Sequence, residues 1–300
     1  MPTITTSLRG VAFSLFAALL WGFVPVYIGY VDAISPLEII VHRALWSGVI
    51  LCALVLCLPR LTGGIAAARA ALATPAARWG FVLSCAMLTV NWGVFVYAIM
   101  SRQVFDAALG YFIYPLVAVV FGIVLLNERL DRWGWAAIGI VACGVLVKAQ
   151  TVAGVPWIAL VLAVSFALYG VVRKRLGIDP VLGMLIETVF LIPPAIGYLV
   201  WMYGSGLPIF FGGGAVNVGL AVFAGVITVV PLLLYHAGNR DLPIIFAGLL
   251  FYANPTMQML IGIYHFRVPF TMGEAVTFAL IWCGLALYFW TRRNAGQPVS

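Results

Sequence analysis

Two ionisable side chains stand inside long apolar runs of this sequence. They are Arg43, with His42 beside it and Glu38 about a turn before, and Glu187. A charge among aliphatic residues is costly, so it marks either a functional group or a committed ion pair. Glu187 could take up and release a proton, or pair with the basic cluster Arg173–Lys174–Arg175. Arg43 could act in coupling or gating, or bond carbonyls near a helix end. Soluble-enzyme chemistry finds little support. The two lysines, Lys148 and Lys174, lie in no GxxxxGK[ST] loop, and neither HExxH nor GxSxG occurs. His42, His236 and His265 lack ligand spacing, so no metal and no cofactor is expected. The five cysteines all lie in apolar runs without a pairing framework, and read as small packing residues.

A second group of residues could line a binding cavity. Pro115 and Pro255 fall mid-way along apolar runs, where a proline frees a carbonyl one turn earlier and bends a helix. Tyr111 and Tyr114 accompany the first proline, and Tyr252 and Asn254 the second. Trp21 and Tyr169, each followed by glycine, place an aromatic ring with a polar tip well away from a helix end. Asn91 and Trp92 lie mid-run, and a buried amide needs a partner or a wet cavity. Trp21, Asn91, Trp92, Tyr111, Tyr114, Tyr169, Tyr252 and Asn254 are therefore the expected substrate contacts. His42, Arg43, Glu187, Pro115 and Pro255 are the expected coupling or gating residues.

The elements that must position these groups follow from composition. Of 300 residues, 64% are hydrophobic and 8% charged. A soluble domain is about 45–50% apolar and about 25% charged. Lipid must therefore cover most of the surface. Windows of about 20 apolar residues give ten spans, roughly 8–30, 37–58, 79–100, 104–126, 133–150, 154–175, 180–203, 216–239, 243–265 and 271–291. The connections are too short for a soluble module, so the chain reads as a single all-α membrane domain over 1–300. The net charge of +7 sits in those connections and is a topology signal rather than a nucleic-acid footprint. Twelve basic residues, from Arg9 to Arg293, fall on one side, against Arg102, Lys148 and Arg267 on the other. Both termini are therefore expected in the cytoplasm of a bacterial inner membrane.

The sequence also repeats itself. Residues 106–148 align without a gap on 246–288, so that Pro115 meets Pro255, Gly122 meets Gly262 and Cys143-Gly144 meets Cys283-Gly284. Earlier, Leu20-Trp21-Gly22 matches Leu168-Tyr169-Gly170, and Pro36 matches Pro180. Two units, about 8–150 and 154–291, each with five spans, must enter the membrane in opposite senses. Inverted repeats around a central cavity are a transporter signature. Small residues four apart, Gly139 with Cys143 and Ala279 with Cys283, suggest that the fifth and tenth spans pack together.

These residues resemble the drug/metabolite transporter superfamily of EamA type, in particular its RarD-like branch and the YddG-like amino-acid exporters. The resemblance is carried by Trp21-Gly22, His42-Arg43 with Trp46-Ser47, Asn91-Trp92, residues 109–113 with Pro115-Leu116, and Asn127-Glu128-Arg129. In the second half it is carried by Leu168-Tyr169-Gly170 with Val172-Arg173-Lys174, residues 183–188, residues 229–233 and Gln258. The resemblance implies ten spans, two inverted five-helix repeats and export of amino acids or other small metabolites. Where the branch reads Asn-Pro, this chain has Tyr114-Pro115. The expectation is a carrier exporting amino acids, aromatic or apolar ones favoured, by alternating access. The alternatives are a drug or metabolite efflux carrier of the same fold and, more remotely, an integral-membrane enzyme on a lipid-linked substrate. The expected partners are a small-molecule substrate and the bilayer, with no nucleic acid. A monomer is the economical state, because the duplication already supplies both walls of a cavity.

Overall fold

The structure, a computed structural model, describes residues 7–31, 35–150, 156–207 and 214–294. Among them, ten helices are long and apolar enough to cross a bilayer. In order they are Leu8–Tyr30, Pro36–Cys57, Pro75–Met100, Asp106–Leu126, Arg132–Ala149, Trp157–Leu176, Pro180–Gly204, Ala215–Asp241, Ile244–Tyr264 and Met272–Thr291, here numbered as spans one to ten. Their ends fall within a few residues of the windows expected from hydropathy. The expected start of span six at 154 lies outside the described residues. Two short helices, Pro59–Thr62 and Gly64–Ala71, occupy the connection between spans two and three.

Local chemistry sets the helix ends. Spans two, three and seven begin on Pro36, Pro75 and Pro180, whose missing N–H costs nothing in a first turn. The side chains of Thr74, Asp131 and Asp179 accept hydrogen bonds from first-turn amides. Spans four and nine end alike. Asn127 and Arg267 adopt left-handed φ of 55° and 56°. The next amides, of Glu128 and Val268, reach back to Gly122 O and Gly262 O, both at 2.9 Å.

Two spans are interrupted. Span one breaks at Phe23, just before Pro25. Span nine is two helices, Ile244–Leu250 and Ala253–Tyr264, hinged at Phe251 and Tyr252 with Pro255 in the first turn that follows. Span four runs unbroken through Pro115. There the hydroxyl of Tyr252 donates to Phe112 O at 3.0 Å, tying span nine to the turn that the proline loosens.

Span six packs on spans three and four, and span one on spans eight and nine. Span two packs on seven and eight, four on nine, and five on ten. The five–ten contact forms as expected, but on a different face. Gly139 has no neighbour near its Cα, and Cys143 and Cys283 are exposed. The seam runs instead through Gly144, against Thr277 O and Ile281, and Gly284, against Ala137 O and Val141. Residues 137, 141 and 144 meet 277, 281 and 284, so the seam is reciprocal at the same offset that aligns 106–148 on 246–288.

Large aromatics stand exposed at both ends of the bundle. Trp79, Trp133, Trp135 and Trp290 mark one end, and Tyr30, Tyr97, Trp157, Tyr203 and Tyr264 the other. Such belts sit at the two bilayer interfaces. At the first end, Arg9 approaches Asp241 at 4.0 Å and Lys174 approaches Glu128 at 3.8 Å. Glu128 also accepts from the Ile244 and Ile245 amides at 2.7 and 3.0 Å, capping span nine. This end is the basic face. At the opposite face Lys148 approaches Glu274 at 3.7 Å.

Candidate functional site

Polar side chains inside the bundle collect in two groups on either side of a small void. The first is centred on Glu187, two turns into span seven and 2% exposed. Its carboxylate lies 3.3 Å from Arg173 Nε of span six. It accepts from Tyr169 Oη at 3.0 Å and from Ser84 Oγ of span three. Tyr169 Oη is also 2.8 Å from His236 Nε2 of span eight. The phenol has one proton and gives it to Glu187, so His236 donates to the phenol through Nε2. Tyr169 and Arg173 are one turn apart on span six and therefore reach Glu187 from the same helix face. Gly183 makes the pairing possible, because a Cβ there would overlap the Arg173 guanidinium.

The second group is centred on Arg43, two turns into span two from the opposite face. Its Nε donates to Thr228 Oγ1 of span eight at 2.8 Å, and its guanidinium lies 5.0 Å over the Trp92 ring of span three. Tyr27 and Tyr111 are its other electrostatic neighbours. The alternative of bonding to helix-end carbonyls gives way to this hydroxyl and ring. His42, about 100° round the same helix, lies 3.6 Å from Glu38.

The void between the groups is lined by Trp92, Tyr169, Glu187, Thr188, Ser47 and Thr228, among others. It has room for about one water molecule. A second small void opens at the basic face among Arg173, Lys174, His236, Asn239 and Arg240.

The remaining candidates from sequence lie around this centre. Trp21 and Tyr114 join Phe166, Tyr235 and Phe251 in an aromatic cluster, in which Tyr114 Oη is 2.9 Å from Tyr235 Oη. Asn91 donates to Leu162 O and Ser165 Oγ at 2.9 and 3.0 Å, binding span three to span six. Tyr252 is fully buried against Phe112 O, and Asn254 accepts from Gln258 at 2.7 Å. Trp92 and Tyr169 thus line the central void, and Tyr111 neighbours Arg43. Trp21 and Tyr114 sit in the adjoining aromatic wall, and Asn91, Tyr252 and Asn254 are engaged in interhelical or local hydrogen bonds. Pro255 follows the hinge within span nine, and Pro115 lies in span four, which packs on span nine. Ser84, Ser47 and Thr228 carried no sequence signal of a site, and His236 was visible only as a histidine without ligand spacing. Among the described residues, no group of His, Cys, Asp and Glu could hold a metal ion.

The comparisons with known proteins agree with this architecture. The EamA-like transporter family matches residues 8–149. A protein of Bacillus subtilis named uncharacterized transporter YojE is 35% identical over 283 residues, covering 93% of each chain. Protein RarD of Escherichia coli is 34% identical over 281 residues, again covering 93% of each. A solved crystal structure superposes with a TM-score of 0.72 over 96% of this chain and 99% of its own, at 18% identity, which speaks to the fold alone. With ten apolar helices, a match to a transporter family and relatives aligned over 93% of their length, one of them named a transporter, the chain belongs to the RarD-like branch of the EamA-type drug/metabolite transporter superfamily and is a multi-pass membrane transporter.

Proposed function

We propose that this transporter exports amino acids, aromatic or apolar ones favoured, by alternating access between two inverted five-span repeats, with both termini in the cytoplasm. The observation that carries the reading is the central void. It places charged, hydroxyl and aromatic groups from spans two, three, six, seven and eight around one point inside the bundle. A zwitterion needs such a mixture, with polar contacts for its ends and rings for its side chain. The repeat is supported by the reciprocal Gly144 and Gly284 seam and by the matching caps at Asn127 and Arg267. Two halves related in this way can rock about a fixed site. The description of the matching family and the name of the Bacillus subtilis relative, both of a transporter, support a carrier rather than an enzyme.

The test is efflux from liposomes that hold the purified protein and a labelled amino-acid mixture. Selective, saturable loss of aromatic or apolar amino acids is expected. No loss of any amino acid from folded, inserted protein removes the assignment and turns attention to drugs and other metabolites. Glu187 is the candidate for proton coupling, and an imposed pH gradient should drive efflux in the wild type but not in Glu187→Gln. Equal gradient dependence in both would take Glu187 out of the coupling step.

A further inference from the structure

Arg43 and Glu187 sit at comparable depths, yet their charges are handled differently. Glu187 is neutralised in place by Arg173 at 3.3 Å. Arg43 takes part in no ion pair among the described residues. The acidic groups nearest in kind are committed elsewhere: Glu38 to His42, Glu187 to Arg173, and Glu128 to Lys174 and the cap of span nine. What Arg43 does have is one hydrogen bond, from Nε to Thr228, and the face of Trp92. A ring face and a hydroxyl solvate a guanidinium only partly, and a half-buried cation with no counter-charge among the described residues is costly. The guanidinium also offers a planar fork of donors suited to a carboxylate.

A second observation points the same way. Ser47 lies one turn beyond Arg43 on the same face of span two. It is 3% exposed, its Oγ has no hydrogen-bond partner, and it lines the void together with Thr228 and Trp92. A buried hydroxyl without a partner beside a cation without a counter-charge describes half of an anion site.

We propose that Arg43 is the receptor for the carboxylate of the transported solute, with Ser47 Oγ donating to the same group and Trp92 forming the floor beneath it. One uncompensated cation matches one negative charge. The site therefore selects a monocarboxylate over a phosphate monoester, which carries close to two charges at neutral pH. This rests on the exporter reading and assigns the residues that receive the carboxylate of its substrate.

The test is binding to the purified full chain, read as ligand-dependent thermal stabilisation. The probes are L-phenylalanine, phenylacetate, the amide of each, and phenyl phosphate. At least one acid should bind at least about tenfold more tightly than its amide, and phenyl phosphate should bind less well than that acid. Arg43→Gln should erase the preference for acid over amide. Without ligand, that variant should melt no lower than the wild type, because it removes an uncompensated charge. Should Arg43→Gln fail to fold, Ser47→Ala keeps the question open to measurement and should weaken the acid several-fold while leaving the amide unchanged. The proposal is overturned if neither acid outbinds its amide, if the preference survives Arg43→Gln, or if phenyl phosphate binds as tightly as the acids. Amino-acid efflux that persists in Arg43→Gln with unchanged rate and KM also sinks this proposal, yet leaves the exporter reading intact. Acid binding through Arg43 without any amino-acid efflux does the reverse.

Discussion

A methionine in place of Arg173 would strand Glu187 inside the bundle with only Ser84 and Tyr169 to satisfy it. Removing one partner of a buried pair costs about 3–5 kcal/mol, whereas replacing both by apolar residues is often close to neutral. Arg173→Met should therefore lower the thermal midpoint sharply, and Arg173→Met with Glu187→Met should recover most of the loss. Gly183→Ala should resemble the single variant, because its Cβ displaces the guanidinium. In a double-mutant cycle the two should be strongly non-additive, and full additivity would show that Gly183 does not act through Arg173. At this scale, Arg43 and Glu187 were legible in the sequence because charges in apolar runs are rare. Their hydroxyl neighbours on serine and threonine were not. Thr228 and Thr188 each donate to their own preceding turn, to Ala224 O and Met184 O, as mid-helix threonines commonly do. Nothing local separates a hydroxyl that also accepts from Arg43 from one that faces only its own helix. The partners that decide the matter lie 185 residues away for Thr228 and 103 for Ser84.

The elements were legible where the bilayer dictates them. A span must be about 20 apolar residues whatever its neighbours do, so the windows and the helices agree closely. Interruptions were less so. Pro115 and Pro255 looked alike, yet only span nine hinges, while span four continues unbroken beside the bond from Tyr252 to Phe112 O. The packing of span five on span ten shows the limit of pattern reading. Cys143 and Gly144 are adjacent, so small residues fall on two helix faces about 100° apart, and spacing cannot choose between them. The structure chooses Gly144. A Cβ there would lie 2.9 Å from Thr277 O, and one on Gly284 would lie 2.8 Å from Ala137 O. A backbone carbonyl yields little, so Gly144→Ala and Gly284→Ala should each destabilise by about 1–3 kcal/mol. Because the contacts are reciprocal, the two losses should be similar in size. Thermal or denaturant unfolding in detergent checks this, and a large loss at one site with none at the other would break the equivalence of the halves.

For the whole molecule, charge asymmetry supports the proposed orientation. The basic face carries Arg9, Arg78, Arg132, Lys174, Arg175 and Arg240, and the opposite face carries Arg102, Lys148 and Arg267. By the positive-inside rule, a reporter fused to either terminus should be active only when it functions in the cytoplasm. A periplasmic result would invert the direction assigned to transport. The central void has a kinetic consequence. Room for about one water molecule cannot admit a solute the size of phenylalanine. On the proposed alternating-access reading this shape is a locked form, and ligand must wait for another to arise. If the receptive form were about one molecule in a hundred, the apparent affinity would fall about a hundredfold below the intrinsic one. Association measured by rapid mixing should then stop accelerating as ligand concentration rises, reaching a ceiling set by the unlocking rate. A rate that climbs linearly without limit would mean that ligand meets an already open door.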